Sequence, residues 1–163
     1  MRTHDWQIRL IQLLAVPGLL IAYYLWLYHE GYIISSCTVT NFFDCGRVSG
    51  PTAQYASLGP IPVALIGMAG YAAIFLAIWL ADFVVLLDDY LPEVVVGLTS
   101  LALIFTLFLK SLEIFVIGVI CQYCLYSAII IAIMFILAIS YLISTRRASK
   151  AEEQSGTHSL AVD

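Results

Sequence analysis

Four cysteines carry the chemistry this sequence offers. Cys37 and Cys45 bracket the loop-like stretch CTVTNFFDC, and Cys121 and Cys124 form a CxxC inside the apolar run ICQYCLYSAIIIAIMF. Thiol–disulfide exchange through mixed disulfides passes two electrons from one such pair to another. On a helix the CxxC positions i and i+3 hold their Cβ atoms about 5–6 Å apart, whereas a disulfide wants about 3.5–4.5 Å. That pair closes only with local adjustment, and strain of this kind marks a bond as labile or catalytic. The other pair has seven residues between its cysteines, Asn41 and Asp44 among them, which is slack enough to break one bond and reach another sulfur. One wet pair and one pair in lipid suggest a relay whose electrons end on an acceptor that lives in the membrane. A lipid-soluble quinone fits that description.

Plainer readings stand beside this one. A lone membrane cysteine is usually a small packing hydrophobe. Four cysteines can hold zinc, but zinc sites favour short C-x₂₋₄-C spacing in both halves, and one half here is longer. Cys37 and Cys45 alone could be a static staple of the loop. His4, His29 and His158 are scattered and expected in solvent, and Trp26, Tyr28 and Tyr90, near span ends, are expected as interfacial anchors.

The elements that must position the cysteines follow from composition. Of 163 residues 62% are hydrophobic and 11% charged, the mean hydropathy is +0.97, and a soluble domain has only about 45–50% apolar residues. The chain is therefore expected to be an all-α, polytopic membrane protein. Seven Lys and Arg and a net charge of -4 make no basic surface for nucleic acid. Four apolar stretches, 8–28, 61–81, 94–109 and 114–143, approach the ~17–25 residues that cross a bilayer, the third drawing on Leu91 and Lys110 at its flanks. The first exceeds a signal-peptide core and lacks an A-x-A site, so it reads as an uncleaved span. Its Pro17-Gly18 pair is a candidate kink.

Four spans place both termini on one side. Arg2 and Arg9 precede the first and Arg146, Arg147 and Lys150 follow the last, so the positive-inside rule puts both ends in the cytosol. The longest connection, 29–59, then faces outward as a cap on the bundle, containing a short helix. Cys121, seven residues after Ile114, would lie about 10 Å down the fourth helix. All four cysteines thus fall near the outer surface, on the oxidising side where disulfides persist. Residues 1–145 form one membrane domain on this reading, and 146–163 a disordered polar tail.

The ordered set of loop cysteine pair, YASLGPIPVALIG (Tyr55 to Gly67) and CQYCLYS resembles the vitamin K epoxide reductase family, above all its bacterial members, over about residues 8–145. The resemblance implies a four-helix bundle around a quinone of the menaquinone or ubiquinone type, in a bacterial plasma membrane. It implies that Cys37 exchanges with a reduced thioredoxin-like partner, that Cys45 shuttles electrons to Cys121, and that Cys124 acts on the quinone. Ile117 and Ala128, at helical spacing from the CxxC, would border the ring, with Tyr55 and Val63 added by analogy. Bacterial members often carry a fused thioredoxin-like domain after a fifth helix, which is not found after the fourth span here, so a separate partner is expected. Animal members have a Tyr where this chain has Ala128. The Ser or Thr that follows the second loop cysteine in the family falls on Ala53 if Tyr55 is aligned, with Ser49 or Thr52 as substitutes.

Two rivals remain. An unrelated bacterial quinone reductase that oxidises disulfides also has four helices and two cysteine pairs, but its CxxC comes first. A non-enzymatic membrane assembly subunit with a stapled loop would keep its function without Cys121 and Cys124. A lipoprotein ending its signal at Cys37 is excluded by His29, Glu30 and Gly31, which interrupt the apolar run.

Overall fold

A computed structural model of the chain describes residues 5–34, 37, 42–83 and 85–160. The long helices are α1 (Asp5–His29), α3 (Val63–Ala81), α4 (Val85–Leu112) and α5 (Gln122–Leu160), and a five-residue helix α2 (Cys45–Ser49) lies in the first connection. Four stretches, Trp6–His29, Val63–Ala81, Tyr90–Ile117 and Gln122–Lys150, are long and apolar enough to cross a membrane. This is the expected all-α polytopic bundle, and the short helix stands where the cap was expected to contain one.

The boundaries differ from the expected ones for local reasons. Ile61 and Pro62 are not helical. They pair as strand β2 with β1 (Ser57–Leu58) across a tight turn in which Gly59 has φ 63°, a left-handed conformation that glycine adopts without strain. Pro62 then leads into α3. The run from Ile114 does not open the fourth span. Residues Glu113–Ile117 form a π-helical turn that ends the third, and Gly118, at φ 74°, closes it by donating its N–H to the Glu113 carbonyl at 2.9 Å. An apolar reversal looks like helix in a hydropathy pattern, which is why the sequence conceals it. At the far end the stretch expected to be a disordered tail is helical as far as Leu160. Its Ala, Lys, Glu and Gln residues propagate a helix well.

The buried core sits between α1, α3, α4 and α5, with Ile11, Ile74, Ile78, Val95 and Met134 all but fully enclosed. Small residues allow the helices to approach closely, as membrane bundles require. Gly18 shows the need directly, because a Cβ there would collide with the ring of Tyr71. The ring thus crosses the α1 backbone, and its hydroxyl contacts Ser127 Oγ at 2.8 Å on α5. The Pro17-Gly18 pair therefore also serves close packing, while α1 continues through it.

Two ion pairs tie the helix ends opposite the cysteines. Arg9 binds Asp82 through both guanidinium nitrogens, at 2.8 and 2.9 Å, and Arg146 reaches Glu93 at 3.3 Å. A second, smaller buried cluster at the other end gathers Leu25, Cys45, Val48, Val119 and Cys121.

Candidate active site

The first cysteine pair is held by a cap. Asp44 precedes α2 and its Oδ1 accepts the backbone N–H groups of Gly46 and Arg47 at 2.9 and 3.2 Å, satisfying donors that a helix N-terminus leaves open. Cys45 is thereby fixed in the first turn, fully buried, and is disulfide-bonded to Cys37 with 6.1 Å between their Cα atoms. A backbone bridge between Phe43 and Ile120 then fastens this segment to the one before α5. Asp44 N–H donates to the Ile120 carbonyl at 3.2 Å and Ile120 N–H to that of Phe42 at 2.9 Å. Cys45 and Cys121 follow those residues closely on each side, which explains why both belong to one buried cluster.

Cys121 lies just outside α5 and caps it, instead of lying about 10 Å down a helix. Its carbonyl accepts the first helical bond, from Leu125 N–H at 3.0 Å, and its sulfur accepts Cys124 N–H at 3.4 Å. A thiol so placed does what a Ser or Asp oxygen does at other helix starts. Both CxxC thiols are free. The Cys121 thiol is drawn down to about 7, chiefly by a hydrogen bond from the Cys124 thiol, against the opposing effect of burial. The Cys124 N–H and the Ser49 hydroxyl add to the lowering, and the nearby Glu113 carboxylate works against it. Thiolate is the reactive form, so this cysteine is the better nucleophile near neutral pH.

Ser49 reaches both thiols of the CxxC from the short helix that begins at Cys45. It stands at the end of α2, with its Oγ 3.8 Å from Cys121 Sγ and 3.6 Å from Cys124 Sγ. Of the three alternatives for the family Ser or Thr position, only this one meets the sulfurs, while Thr52 and Ala53 line a shallow outer depression.

Beside Cys124 a cavity of about 420 Å³ opens between α1, α3, α4 and α5. That is the size range of small-molecule sites, which are mostly apolar with a few placed polar groups. Its apolar wall includes Ile21, Leu25, Leu98 and Phe105, and Gly67 and Gly70 widen it on α3. The polar residues on its wall include Ser49, Tyr71, Lys110, Glu113, Cys124 and Ser127. A flat, apolar ring with carbonyl acceptors fits this donor set, so a quinone can be accommodated.

Of the residues expected around such a ring, Tyr55, Val63 and Ile117 line the cavity and Ala128 does not. On α5 the face turned to the cavity runs through Cys124, Ser127 and Ile131, and Ala128 falls to its side. His29, expected in solvent, is half-buried on the cavity wall with Nδ1 3.3 Å from the Gly50 carbonyl oxygen. The sequence reading also passed over Lys110 and Glu113. The carboxylate of Glu113 is bound by Lys110 at 2.6 Å and by Cys121 N–H at 3.2 Å. Two ionisable residues three apart at the end of an apolar span were the signal for them.

A search of curated proteins returns no similar sequence. The model of the vitamin K epoxide reductase family matches residues 9–139, which include all four cysteines and every wall of the cavity. The chain belongs to the vitamin K epoxide reductase family.

Proposed function

We propose that this protein is a membrane thiol–disulfide oxidoreductase that moves two electrons from a separate thioredoxin-like dithiol to a quinone, supporting disulfide formation outside the cytosol. The observation that carries the reading is the placement of the two pairs. The loop disulfide and Cys121 share one buried cluster, and Cys124 alone of the four cysteines faces the apolar cavity.

The cycle balances in thiols. A partner thiolate attacks Cys37, forming a mixed disulfide and releasing Cys45 as thiolate, and the partner's second thiol then frees Cys37. Cys45 attacks Cys121 of an oxidised CxxC and expels the Cys124 thiolate. Cys37 closes on Cys45 again and releases Cys121. The CxxC now holds two electrons, the state described here, with Cys37–Cys45 joined and Cys121 and Cys124 free. A quinone bound in the cavity is the substrate that accepts those electrons. Return of the CxxC to a disulfide gives up two electrons and makes the quinol. The protein supplies placement: a largely apolar cavity beside Cys124, a hydroxyl near both CxxC sulfurs and a loop fastened beside Cys121 by the Phe43–Ile120 bridge. Arginines at the opposite end of the bundle put that end in the cytosol and the cysteines outside.

An anaerobic assay with a reduced thioredoxin-like protein and a soluble quinone tests this. Wild type is expected to turn over, and Cys124→Ala, purified with its Cys37–Cys45 disulfide formed, to be reduced by the partner without turning over quinone. Equal rates for both proteins, or no turnover by wild type with ubiquinone- and menaquinone-type acceptors, would remove the relay and leave a stapled structural subunit.

A further inference from the structure

We infer, building on the quinone-reductase reading above, that Lys110 is the acid that delivers a proton to the quinone ring, and that Glu113 is the positioning residue that holds Lys110 in the cavity wall and joins it to the CxxC. The two residues are the only Lys, Arg, Asp or Glu among the described residues that line the cavity. Their side chains are 15% and 4% exposed. Taking an ion pair out of water costs about as much as the attraction returns, and a well-packed apolar pair serves stability as well or better. A buried pair is therefore poor support for the fold. What it does provide is an ammonium proton on the wall of a largely apolar chamber that Cys124 also lines.

The other titratable groups at the cavity are less suited to this role. Tyr71 is engaged by Ser127, through Oγ at 2.8 Å and the backbone carbonyl at 3.1 Å. His29 is turned by Nδ1 toward Gly50 at the outer loop. Tyr55 is 44% exposed at the rim. Cys124 is itself the electron donor, and Cys121 lies behind it, off the wall. Glu113 links the ammonium to the backbone of the CxxC through one carboxylate oxygen, since Oε2 takes both Lys110 Nζ and Cys121 N–H. The π-helical turn that begins at Glu113 fits this role, because such turns are frequent at functional sites.

The balance shows why an acid is needed. With Cys121 as thiolate and Cys124 as thiol, formation of their S–S bond releases two electrons and only one proton. A quinol carries two protons. Lys110 gives the second and is left as the neutral amine, and water at its exposed edge restores the ammonium. An ordinary structural role is the competing explanation, since a cation near the C-terminal end of α4 favours the helix dipole and Glu113 secures the loop through Cys121 N–H.

Lys110→Arg separates the two. A guanidinium keeps the charge, the pairing with Glu113 and the dipole interaction, but holds its protons far more tightly than an ammonium. The experiment is stopped-flow oxidation of the fully reduced protein by menadione in detergent, in H₂O and D₂O. Menadione affinity is followed separately by quenching of tryptophan fluorescence, using protein whose CxxC thiols are alkylated. The expected result is unchanged affinity, dithiol oxidation slowed by about a hundredfold, and loss of the wild-type solvent isotope effect. Lys110→Gln with Glu113→Gln, which leaves no unpaired charge, is expected to be equally slow. Wild-type rates in Lys110→Arg would overturn the assignment of Lys110 while leaving the quinone reading intact. A fall in affinity matching the fall in rate would likewise make the pair a purely structural support. Failure of wild type itself to react would overturn both readings.

Discussion

At the end of the bundle away from the cysteines, Ile11, Val95, Met134 and Ala138 are fully enclosed and the helix ends are bound by ion pairs, whereas at the cysteine end the same four helices stand around a cavity of about 420 Å³. One half is filled with side chains. The other is held by hydrogen bonds from capping residues, a backbone bridge, a disulfide and a buried ion pair. Glycine separates them along α3. Ile74 and Ile78 pack into the core a turn or two beyond Gly67 and Gly70, which leave room at the cavity. The difference teaches that the filled half fixes the spacing of the helices, which lets the hollow half give up packing and keep its shape. Tyr71 is the joint, packed on Gly18 and bonded to Ser127 where the two regions meet.

Filling the hollow half is expected to have the largest effect on activity. A Cβ at Gly70 would meet nothing within 4 Å, although the residue lies on the cavity wall. Gly70→Phe should therefore occupy the ring site and lower quinone reduction by on the order of a hundredfold, without lowering the thermal midpoint in detergent. A variant that reduces quinone normally would place the ring elsewhere.

The complementary change empties the filled half. Met134 is fully buried, and Met134→Ala should lower stability by about 2 kcal/mol. The lower end of the usual range is expected because lipid supplies no hydrophobic driving force between helices. Turnover at temperatures well below the transition should be unchanged. Denaturant titration in mixed micelles reads the first quantity and the quinone assay the second. A large loss of turnover in folded Met134→Ala would mean that the halves are not mechanically separate.

The smallest expected effect is on pH dependence, and it belongs to the cysteine end alone. The Cys121 thiol is lowered to about 7 in the fold, against about 8.5 for a free cysteine. A depressed acid adds stability that is fully present above its unfolded value and lost as pH falls through its folded one. The thermal midpoint of the reduced protein should therefore rise relative to Cys121→Ser between about pH 7 and pH 8.5, then level off. Met134→Ala should follow wild type in this series. Parallel curves for wild type and Cys121→Ser would remove the assigned thiolate.

Much of this was legible in the chain. Hydropathy identified four spans because a helix in lipid must satisfy its own backbone and shield it with apolar side chains. Cysteine spacing picked out the four sulfurs proposed for the relay because exchange needs paired sulfurs. Less legible were the features that depend on a backbone reversal. Gly118 turns the chain within an apolar run, so Cys121 changed from a residue inside a helix to the cap of one, and which face of α5 meets the cavity, Ser127 and Ile131 with Cys124 and not Ala128, was set by packing. Ser49 was one of three alternatives in sequence, and only folding of α2 onto α5 brought its hydroxyl to both sulfurs.

The sequence alone determined composition, span number and the order of the cysteine pairs, all properties that act locally along the chain. Only the tertiary structure decided which cysteine faces the cavity, which serine reaches the sulfurs and that Lys110 and Glu113 meet within its wall. Those relations join residues on different helices or across a π-helical turn, and their geometry depends on where each helix begins. Hydropathy averages over a window of residues, and the placement of a sulfur is settled by a single one.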